Sequence, residues 1–455
     1  MKTALRLVVG ALALAVLSTG MASRSDASAT TPIITAGSAG IIAGGGASFP
    51  NAQYQKWITD ITALGGSFGP DSFSKLVLTY TASSSGTGKT NFRGTTNRTA
   101  AQMFSGTDSL VSSSDTTATN TTLGGRDKWT QIPVTAGPIA VITNLPGVTA
   151  NIKLDGATIC KIYSGEIKVW NHADILALNP TIKALQTMTQ TIIPVARDAT
   201  SGTTFIFASF LATAAGNTTH RCSYRSDWLN TVTSFPTTVG AATLSPADAI
   251  MSTRFSAMRT DKNAVQIASK TGNSGVRDYV NATSYSIGYV EMAFSYATNV
   301  RQAAIKNAAG TAYLLPTQSG ANAAIAAQNT VALDAAPTAA VPNATVYAVN
   351  NPVNPSGSYL QPVNQTGSTA YPIVGYSWVL LYTEFNGTIA SAPTKGQVEG
   401  LIYFLNWGIT KGAVYTAGTT KCYSPLPASV KALVITELKK VKYSTDGTTY
   451  ATVWR

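Results

Sequence analysis

A short apolar strand that leads through a polar turn into a helix is the feature that most constrains how this chain folds. Residues 192–195 are apolar enough for a buried strand, and 197–205 read Arg-Asp-Ala-Thr-Ser-Gly-Thr-Thr-Phe. Apolar residues at 207, 210, 211 and 214 follow at helical spacing, so we predict a helix that begins near Ser201. A helix start offers unpaired N–H groups and a partial positive charge to an anion. The same turn is also typical of an ordinary capped helix, and the remaining sequence has to distinguish the two.

Two more turns of this kind occur in the first hundred residues. Pro50 suits the first position of a helix, which places Ser48 and Phe49 at its start, directly after three glycines. Residues 76–80 form another predicted strand, and a stretch rich in hydroxyls and glycine follows at 83–90. That stretch ends in Gly-Lys-Thr like a nucleotide-binding loop, but the loop motif requires a glycine where this chain has serine. We therefore interpret all three turns as places where hydroxyl and backbone donors gather.

The charge balance favours anionic partners. Lys and Arg number 32 against 20 Asp and Glu, a formal net charge of +12, although charged residues make up only 11% of the chain. The charges are scattered, and neither a Lys/Arg run nor a basic helix with interleaved aromatic residues occurs, so nucleic acid is not an expected partner. The 455 residues are enough for two domains.

The first residues have the features of an export signal. Lys2 and Arg6 precede an apolar stretch at 7–17 that is too short to cross a membrane, and small residues follow. We predict a cleaved signal peptide over 1–22 and a flexible tether over 23–40. No cysteine occurs early enough for lipid attachment. The mature protein is therefore expected to be soluble, in the periplasm or secreted.

The three cysteines allow one disulfide and one free thiol in an oxidising compartment. Cys160 lies in an apolar run and is interpreted as a buried thiol, which leaves Cys222 with Cys422 as the predicted disulfide. The histidines, His172 and His220, have no partners at metal-ligand spacing. We therefore expect no metal and no cofactor.

A series of short motifs runs in one order along nearly the whole mature chain. They are Gly-Ala-Ser-Phe-Pro at 46–50, and the segments 54–57, 133–146, 154–156, 162–171, 178–180, 272–276, 287–291, 371–376 and 425–430. Each motif is weak evidence, but the ordered set resembles the phosphate-binding (solute-binding) proteins that serve bacterial phosphate ABC transporters.

The resemblance implies an α/β fold, that of a two-lobed type II periplasmic binding protein. Each lobe would be a mixed β-sheet flanked by helices, with the ligand cleft between the lobes, and the alternating strand and helix patterns agree. The first lobe would comprise 41–132 and 372–455, and the second 133–371. Within the second lobe, 213–263 and 298–370 are interpreted as surface elaborations.

The resemblance also implies a phosphate site whose residues come from both lobes. Arg197 would offer a planar fork of donors to two oxygens, and Gly202 would let a backbone N–H approach closely. The implied ligand-binding residues are Ser48, Phe49, Ser85, Asp108, Arg197, Ser201, Gly202 and Thr203.

Asp108 is the informative member of this set, because a carboxylate beside an anion should repel it. It is tolerable if it accepts a proton that the ligand carries, which phosphate at neutral pH retains and sulfate does not. By itself the residue is also typical of a turn or a helix cap. The family usually has Asp and Gly where this chain has Ala199 and Thr200, with an acid at Asp198 instead, which leaves open what orients Arg197.

The implied function is to bind inorganic phosphate and deliver it to the membrane permease of an ABC transporter, as a monomer and not as an enzyme. One alternative is a binding protein for another oxyanion such as sulfate or molybdate. Another is an exported phosphatase, although neither a nucleophile–base pair nor a metal cluster supports it. A third is a phosphate-scavenging or interaction protein that is not coupled to transport.

Overall fold

The structure, a computed structural model, describes most of the chain. The predicted signal peptide and Cys222 lie outside the described residues, as do most of the predicted tether and large parts of the two predicted elaborations. The described residues are 34–35, 37–64, 75–94, 101–111, 113–198, 200–214, 238–239, 242–243, 267–332 and 358–454.

The helices in these ranges surround the sheets described below. They are α1 (Asn51–Ala63), α2 (Ser85–Arg93), α3 (Ser113–Leu123), α4 (Gly156–Ser164), α5 (Ala173–Leu178), α6 (Lys183–Gln186), α7 (Gly202–Ala214), α8 (Gly272–Ala282), α9 (Gln318–Ala327), α10 (Lys395–Thr410) and α11 (Ala428–Leu438). Short 3-10 helices span Arg126–Lys128 and Met292–Phe294. None of the helices in the described ranges combines the length and apolarity needed to cross a bilayer.

The strands form one large sheet and several small ones. They are β1 (Ala39–Gly46), β2 (Lys75–Ala82), β3 (Phe104–Thr107), β4 (Trp129–Asn144), β5 (Lys153–Leu154), β6 (Ile193–Arg197), β7 (Thr238–Val239), β8 (Ala242–Thr243), β9 (Ala268–Lys270), β10 (Ser286–Glu291), β11 (Arg301–Gln302), β12 (Ala304–Lys306), β13 (Tyr313–Leu314), β14 (Asn329–Ala332), β15 (Ser358–Gln361), β16 (Val374–Tyr382), β17 (Glu384–Asn386), β18 (Thr416–Ala417), β19 (Thr420–Lys421), β20 (Lys442–Ser444) and β21 (Ala451–Thr452).

The large sheet has the strand order β2-β1-β3-β16-β4-β10-β6-β9, with β11 also paired to β4. Strand β4 joins its two parts, because residues 129–138 pair with β16 and residues 139–144 pair with β10. We call β2, β1, β3, β16 and residues 129–138 the first half-sheet. Residues 139–144, β10, β6, β9 and β11 are the second half-sheet. Every residue of β4 is buried, as its apolar sequence predicts.

Where β4 pairs with β16, the register shifts by one residue. Ser377 lies opposite Thr135, whereas its neighbour Trp378 lies opposite Pro133, so Val134 is the extra residue of a β-bulge. Pro133 has no N–H to donate to the ladder, which makes this a place where regular pairing is easily interrupted.

Parallel strands dominate the ends of the large sheet, and helices follow them directly. Strand β1 pairs in parallel with β2 and β3, and β6 pairs in parallel with β10 and β9. Helices α1, α2, α7 and α8 come directly after β1, β2, β6 and β9. The three predicted strand–turn–helix units are therefore confirmed, and their turns lie at the carboxyl ends of the strands, where ligands bind in open α/β sheets.

The C-terminal helices pack on the first half-sheet, with α10 against β1 and α11 against β4. Helix α10 is buried on nearly all sides and begins with a capping box between Thr394 and Gln397. Helix α11 buries Val430, Val434 and Leu438, which recur at helical spacing, whereas its Leu433 is 39% exposed.

The cysteine prediction is wrong. Cys160, in α4, is disulfide-bonded to a partner outside the described residues, and Cys422 is a buried free thiol. The predicted pairing of Cys222 with Cys422 is therefore excluded. The apolar sequence around Cys160 was misleading, because a buried disulfide and a buried thiol are both compatible with apolar surroundings.

Candidate functional site

Arg197 ends strand β6 and is only 2% exposed. Its guanidinium donates from Nη1 to the Ser48 hydroxyl at 3.3 Å, while its buried Nε has no hydrogen-bond partner. Burial lowers the pKa of Arg197, and the negative charge of Asp108 acts in the opposite direction. Among the described residues no carboxylate lies within ion-pair distance of this guanidinium, so its donors remain available to an anion.

The Ser48 hydroxyl connects the two half-sheets. It lies just before α1 and accepts hydrogen bonds from Arg197 and from Nδ2 of Asn273, the latter at 3.2 Å. Asn273 is the second residue of α8, and its side-chain oxygen accepts the backbone N–H of Glu291 at 3.1 Å. One hydroxyl of the first half-sheet is thus bonded to two buried side chains of the second.

Ser85 and Gly202 bring the starts of α2 and α7 into direct contact. The Ser85 hydroxyl accepts the backbone N–H of Gly202 at 3.0 Å and that of Asp108 at 3.0 Å. A Cβ atom on Gly202 would lie 2.4 Å from the Cβ of Asp108, so only glycine fits there. A second contact between the same turns runs from the N–H of Gly86 to the carbonyl of Thr200 at 3.2 Å.

Asp108 follows strand β3 and is 3% exposed. Its Oδ1 accepts the Ser377 hydroxyl at 2.7 Å, and its Oδ2 lies 3.4 Å from the Ser85 hydroxyl. Burial raises the pKa of Asp108 to about 7, against the opposing effects of these two hydrogen bonds and of the positive charges of Arg197 and Lys89. The carboxyl can therefore exchange its proton near neutral pH.

Lys89 is a charged neighbour that the sequence did not assign to the site. It is 3% exposed and points from α2 behind Asp108, where Nζ donates to the Ser109 hydroxyl at 3.0 Å and to the Leu110 carbonyl at 3.3 Å. Its Gly-Lys-Thr motif lacks the spacing of a nucleotide-binding loop. What the motif could not reveal is that this lysine adds a buried positive charge to the site.

The remaining predicted residues lie beside these groups. Ser201 is fully buried, and its hydroxyl accepts the N–H of Thr204 at 3.3 Å, which caps α7. Thr203 is also buried, and its hydroxyl has no hydrogen-bond partner. Phe49 packs edge-to-face on Tyr423 with ring centroids 6.0 Å apart, and its carbonyl accepts the Tyr423 hydroxyl at 2.7 Å.

The residues around Arg197 show what Asp198 contacts in this chain, which has an acid there instead of the acid that the family has at position 199. Asp198 accepts a hydrogen bond from the Thr271 hydroxyl, and its N–H donates to the Lys270 carbonyl at 3.2 Å. It therefore holds β6 to the start of α8, whereas the Ser48 hydroxyl is the group that meets the guanidinium of Arg197. Ala199 lies outside the described residues.

A second buried acid, Glu291, lies at the end of β10 with no exposed surface. Its Oε1 accepts the N–H of Ala293 at 2.9 Å, and its Oε2 lies 2.8 Å from the Tyr423 hydroxyl, which also donates to the Phe49 carbonyl. A hydroxyl has one proton and a carbonyl cannot donate, so both short contacts are satisfied only when Glu291 carries a proton. Burial raises the pKa of Glu291 well above its usual value, and the negative charge of Asp108 adds to this effect.

Sequence reasoning assigned no role to Ser377, Asn273, Glu291 and Lys89. Asn273 and Glu291 lie in two of the motifs that carried the family resemblance, so the signal was present but pointed to no chemistry. Among the described residues, the structure contains no group of three or more His, Cys, Asp or Glu side chains that could hold a metal ion. The site is thus built from hydroxyls, amides, the guanidinium of Arg197 and two buried acids, with the ammonium of Lys89 behind Asp108.

A family model for the PBP superfamily domain matches residues 29–407. The chain belongs to the PBP superfamily. This superfamily consists of binding proteins, and the matched range includes every residue of the site except Tyr423.

Curated relatives of this PBP superfamily member include several phosphate-binding proteins named PstS. The chain is 26% identical to PstS of Haemophilus influenzae over 399 residues, which cover 88% of this chain and 92% of the relative. It is 27% identical to PstS of Methanocaldococcus jannaschii over 373 residues, which cover 81% and 78%. Over 138 residues, 30% of this chain and 34% of the relative, identity to PstS 3 of Mycobacterium leprae rises to 38%. The predicted resemblance is confirmed.

Solved structures support the same fold. The high-affinity periplasmic phosphate-binding protein PfluDING, bound with phosphate, superposes with a TM-score of 0.54 at 22% identity, over 87% of this chain and 93% of that chain. The phosphate-binding protein from Stenotrophomonas maltophilia gives a TM-score of 0.52 at 20% identity, over 88% and 94%. At these identities the likeness shows the fold alone, and it confirms the predicted fold class of a type II periplasmic binding protein.

Proposed function

We propose that the protein binds inorganic phosphate between the two half-sheets and delivers it to the membrane permease of an ABC transporter. The observation that carries this proposal is the buried Arg197, whose Nε has no partner, beside the buried carboxyl of Asp108. A guanidinium in this state requires an anion to balance its charge, and a carboxyl beside it requires that anion to carry a proton. Phosphate meets both requirements near neutral pH.

The donors proposed to hold phosphate come from both sides of the cleft. Ser48, Phe49, Ser85 and Asp108 belong to the first side, and Arg197, Ser201, Gly202 and Thr203 to the second. Thr203 supports the proposal in particular, because its buried hydroxyl has no partner among the described residues and would gain one from a bound anion.

We propose the two sides to be lobes formed by 41–132 with 372–455 and by 133–371. Closure on phosphate would then be a movement of one lobe against the other, with the ligand replacing water between them. Strand β4 runs through the proposed boundary near residue 132 and changes its pairing partner from β16 to β10 only between residues 138 and 139.

The names of the relatives, which are phosphate-binding proteins, support binding rather than catalysis. We propose a cleaved, exported binding protein of the periplasm or cell exterior that acts as a monomer, and not an enzyme. Because the described residues of the site include a titratable acid but no paired nucleophile and base, they suit binding of a protonated oxyanion rather than a reaction on it. The PstS relatives favour this function over scavenging that is not coupled to transport.

Calorimetry with phosphate, arsenate and sulfate tests the proposal. We expect phosphate and arsenate to bind and sulfate to bind far more weakly. Arg197→Gln should lose at least about a hundredfold in phosphate affinity, since hydrogen bonds to a charged group contribute roughly 1.5–3 kcal/mol each. Arg277→Gln, which removes an equal charge from an ion pair with Asp278 on α8, is the matched control and should bind like the wild type.

Two results would overturn this function. One is a wild-type protein with no measurable phosphate binding, and the other is turnover of a phosphate ester by the pure protein. Delivery is tested separately, through uptake of labelled phosphate by cells that lack the protein. Wild type should restore that uptake and Arg197→Gln should not.

A further inference from the structure

The two oxygens of the Asp108 carboxyl are held unequally. Oδ1 accepts a short hydrogen bond of 2.7 Å from the Ser377 hydroxyl. Oδ2 accepts a longer hydrogen bond of 3.4 Å from the Ser85 hydroxyl, whose oxygen also accepts the N–H groups of Asp108 and Gly202. Oδ1 is therefore engaged in the stronger bond, and the weakly engaged Oδ2 is the oxygen better able to accept a further proton.

The backbone of the large sheet explains how Ser377 comes to meet Asp108. Ser377 lies in β16, is fully buried, and borders the bulge at which Val134 has no residue opposite it. A bulge turns the side chains beside it away from their regular alternation, and bulges commonly aim a side chain at a functional site. The bond from Ser377 to Asp108 spans 269 positions of the sequence, so tertiary structure alone creates it.

We propose that Ser377 is a positioning residue that determines anion specificity, because it occupies Oδ1 of Asp108 and leaves Oδ2 as the acceptor for the proton of the ligand. This inference rests on the proposed phosphate binding and deepens it. Ser377 acts through Asp108 and touches the carboxyl, not the anion.

The hydrogen bond from Ser377 also favours the ionised form of Asp108, whereas burial favours the protonated form. The charged groups that act on this carboxyl are the cations Arg197 and Lys89, and Glu291 faces it across the cleft as a neutral acid. The nearby phenols of Tyr54, Tyr80 and Tyr423 are buried and neutral, with pKa values raised by burial.

Without the Ser377 hydroxyl, the pKa of Asp108 should rise further, and Asp108 would keep its proton over more of the neutral range. A protonated carboxyl is a donor, and a fully ionised anion such as sulfate can accept from it.

The test compares phosphate and sulfate affinities across pH in four proteins. These are the wild type, Ser377→Ala, Ser377→Thr, and Ser286→Ala as the control. Ser286 is a fully buried hydroxyl of β10 that donates to the Thr283 carbonyl at 2.6 Å, away from the site. Measurements from about pH 5.5 to about pH 8.5 bracket the pKa of Asp108.

In Ser377→Ala we expect the preference for phosphate over sulfate to fall about tenfold at neutral pH, the effect of one hydrogen bond to a charged group. The pH below which sulfate binds should also move upward. Ser377→Thr keeps the hydroxyl and should retain the wild-type profile, as should Ser286→Ala.

If Ser377→Ala binds phosphate but its sulfate profile coincides with that of the wild type, the role of Ser377 is wrong while phosphate binding stands. If Ser377→Thr behaves like Ser377→Ala, the hydroxyl is not the group that matters, and the inference is again wrong. If the wild type itself does not bind phosphate, the proposed function and this inference fall together.

Discussion

Asp108 and Glu291 are two buried acids that follow strands of different half-sheets, and they differ in what surrounds them. Asp108, in the first half-sheet, accepts two hydroxyls and lies near two cations, and its pKa is raised only to about 7. Glu291, in the second, meets one hydroxyl and one N–H, and the nearby charge is the negative one of Asp108. Its pKa is raised well above the usual value.

The comparison shows that burial alone does not determine how far the pKa of an acid is raised in this protein. The hydrogen bond from Ser377 and the charges of Arg197 and Lys89 limit the rise in the pKa of Asp108 to about 7, which suits the proposed role of sensing the protonation of a ligand. Glu291 shares a hydrogen bond of 2.8 Å with the Tyr423 hydroxyl, so it joins the end of β10 to the chain segment that holds Phe49. In the proposed function Asp108 would serve recognition, whereas Glu291 would link the segments that surround it.

The clearest test of this difference replaces each of the two acids, Asp108 and Glu291, by its amide. We expect Asp108→Asn to lower the preference for phosphate over sulfate by on the order of a hundredfold, because the amide donates where the carboxylate could only accept. Glu291→Gln should leave that preference unchanged, since the amide can still donate to Tyr423. Competition calorimetry measures both, and equal losses in the two variants would contradict the division of roles.

Removing the Tyr423 hydroxyl tests the structural half of the comparison. Tyr423→Phe leaves the Glu291 carboxyl and the Phe49 carbonyl without their shared partner, so we expect the free energy of unfolding to fall by about 1–3 kcal/mol. Anion preference should not change. Chemical denaturation measures the stability, with Tyr443→Phe as the control, since that half-buried hydroxyl bonds only to the Pro393 carbonyl at 3.2 Å. If Tyr423→Phe is as stable as Tyr443→Phe, the Tyr423 hydroxyl does not link Glu291 to Phe49.

The pH dependence of stability should report both acids. Both pKa values are raised on folding, so the folded protein binds more protons than the unfolded chain and the free energy of unfolding falls as pH rises. The contribution of Asp108 to this fall ends near its pKa of about 7, and the raised pKa of Glu291 contributes a fall of the same sign. Asp108→Asn and Glu291→Gln should therefore each flatten the fall by up to about 1.4 kcal/mol per pH unit, and for Asp108→Asn the flattening should end near neutral pH. Denaturation series at several pH values measure both slopes, and a slope that neither variant changes would contradict the raised pKa values.

The smallest effect is expected from the cation behind Asp108. The positive charge of Lys89 lowers the pKa of Asp108 less than the other groups named above do. Lys89→Met should shift the pH dependence of anion selectivity upward by less than about one pH unit. Lys56→Met, which removes a surface charge paired with Asp60, is the control and should cause no shift. A downward shift would show that Lys89 does not act on the carboxyl through its charge.

The sequence predicted those parts of the site that depend on local patterns. The starts of α1, α2 and α7 follow from apolar spacing, proline and hydroxyl caps within a few residues, and the structure brings all three together. The bond between Ser377 and Asp108 and the bridge between Glu291 and Tyr423 could not be predicted in this way. Each joins residues more than a hundred positions apart, and their meeting depends on sheet register, a bulge and the packing of the two halves.

Strand β4 has a consequence for how the molecule folds. Because its first ten residues complete one half-sheet and its last six complete the other, neither half can be excised with all of its strand pairs intact. A fragment cut near residue 138 would leave a hydrophobic edge unpaired on each piece. The described core should therefore melt in a single cooperative transition, even though its large sheet has two halves.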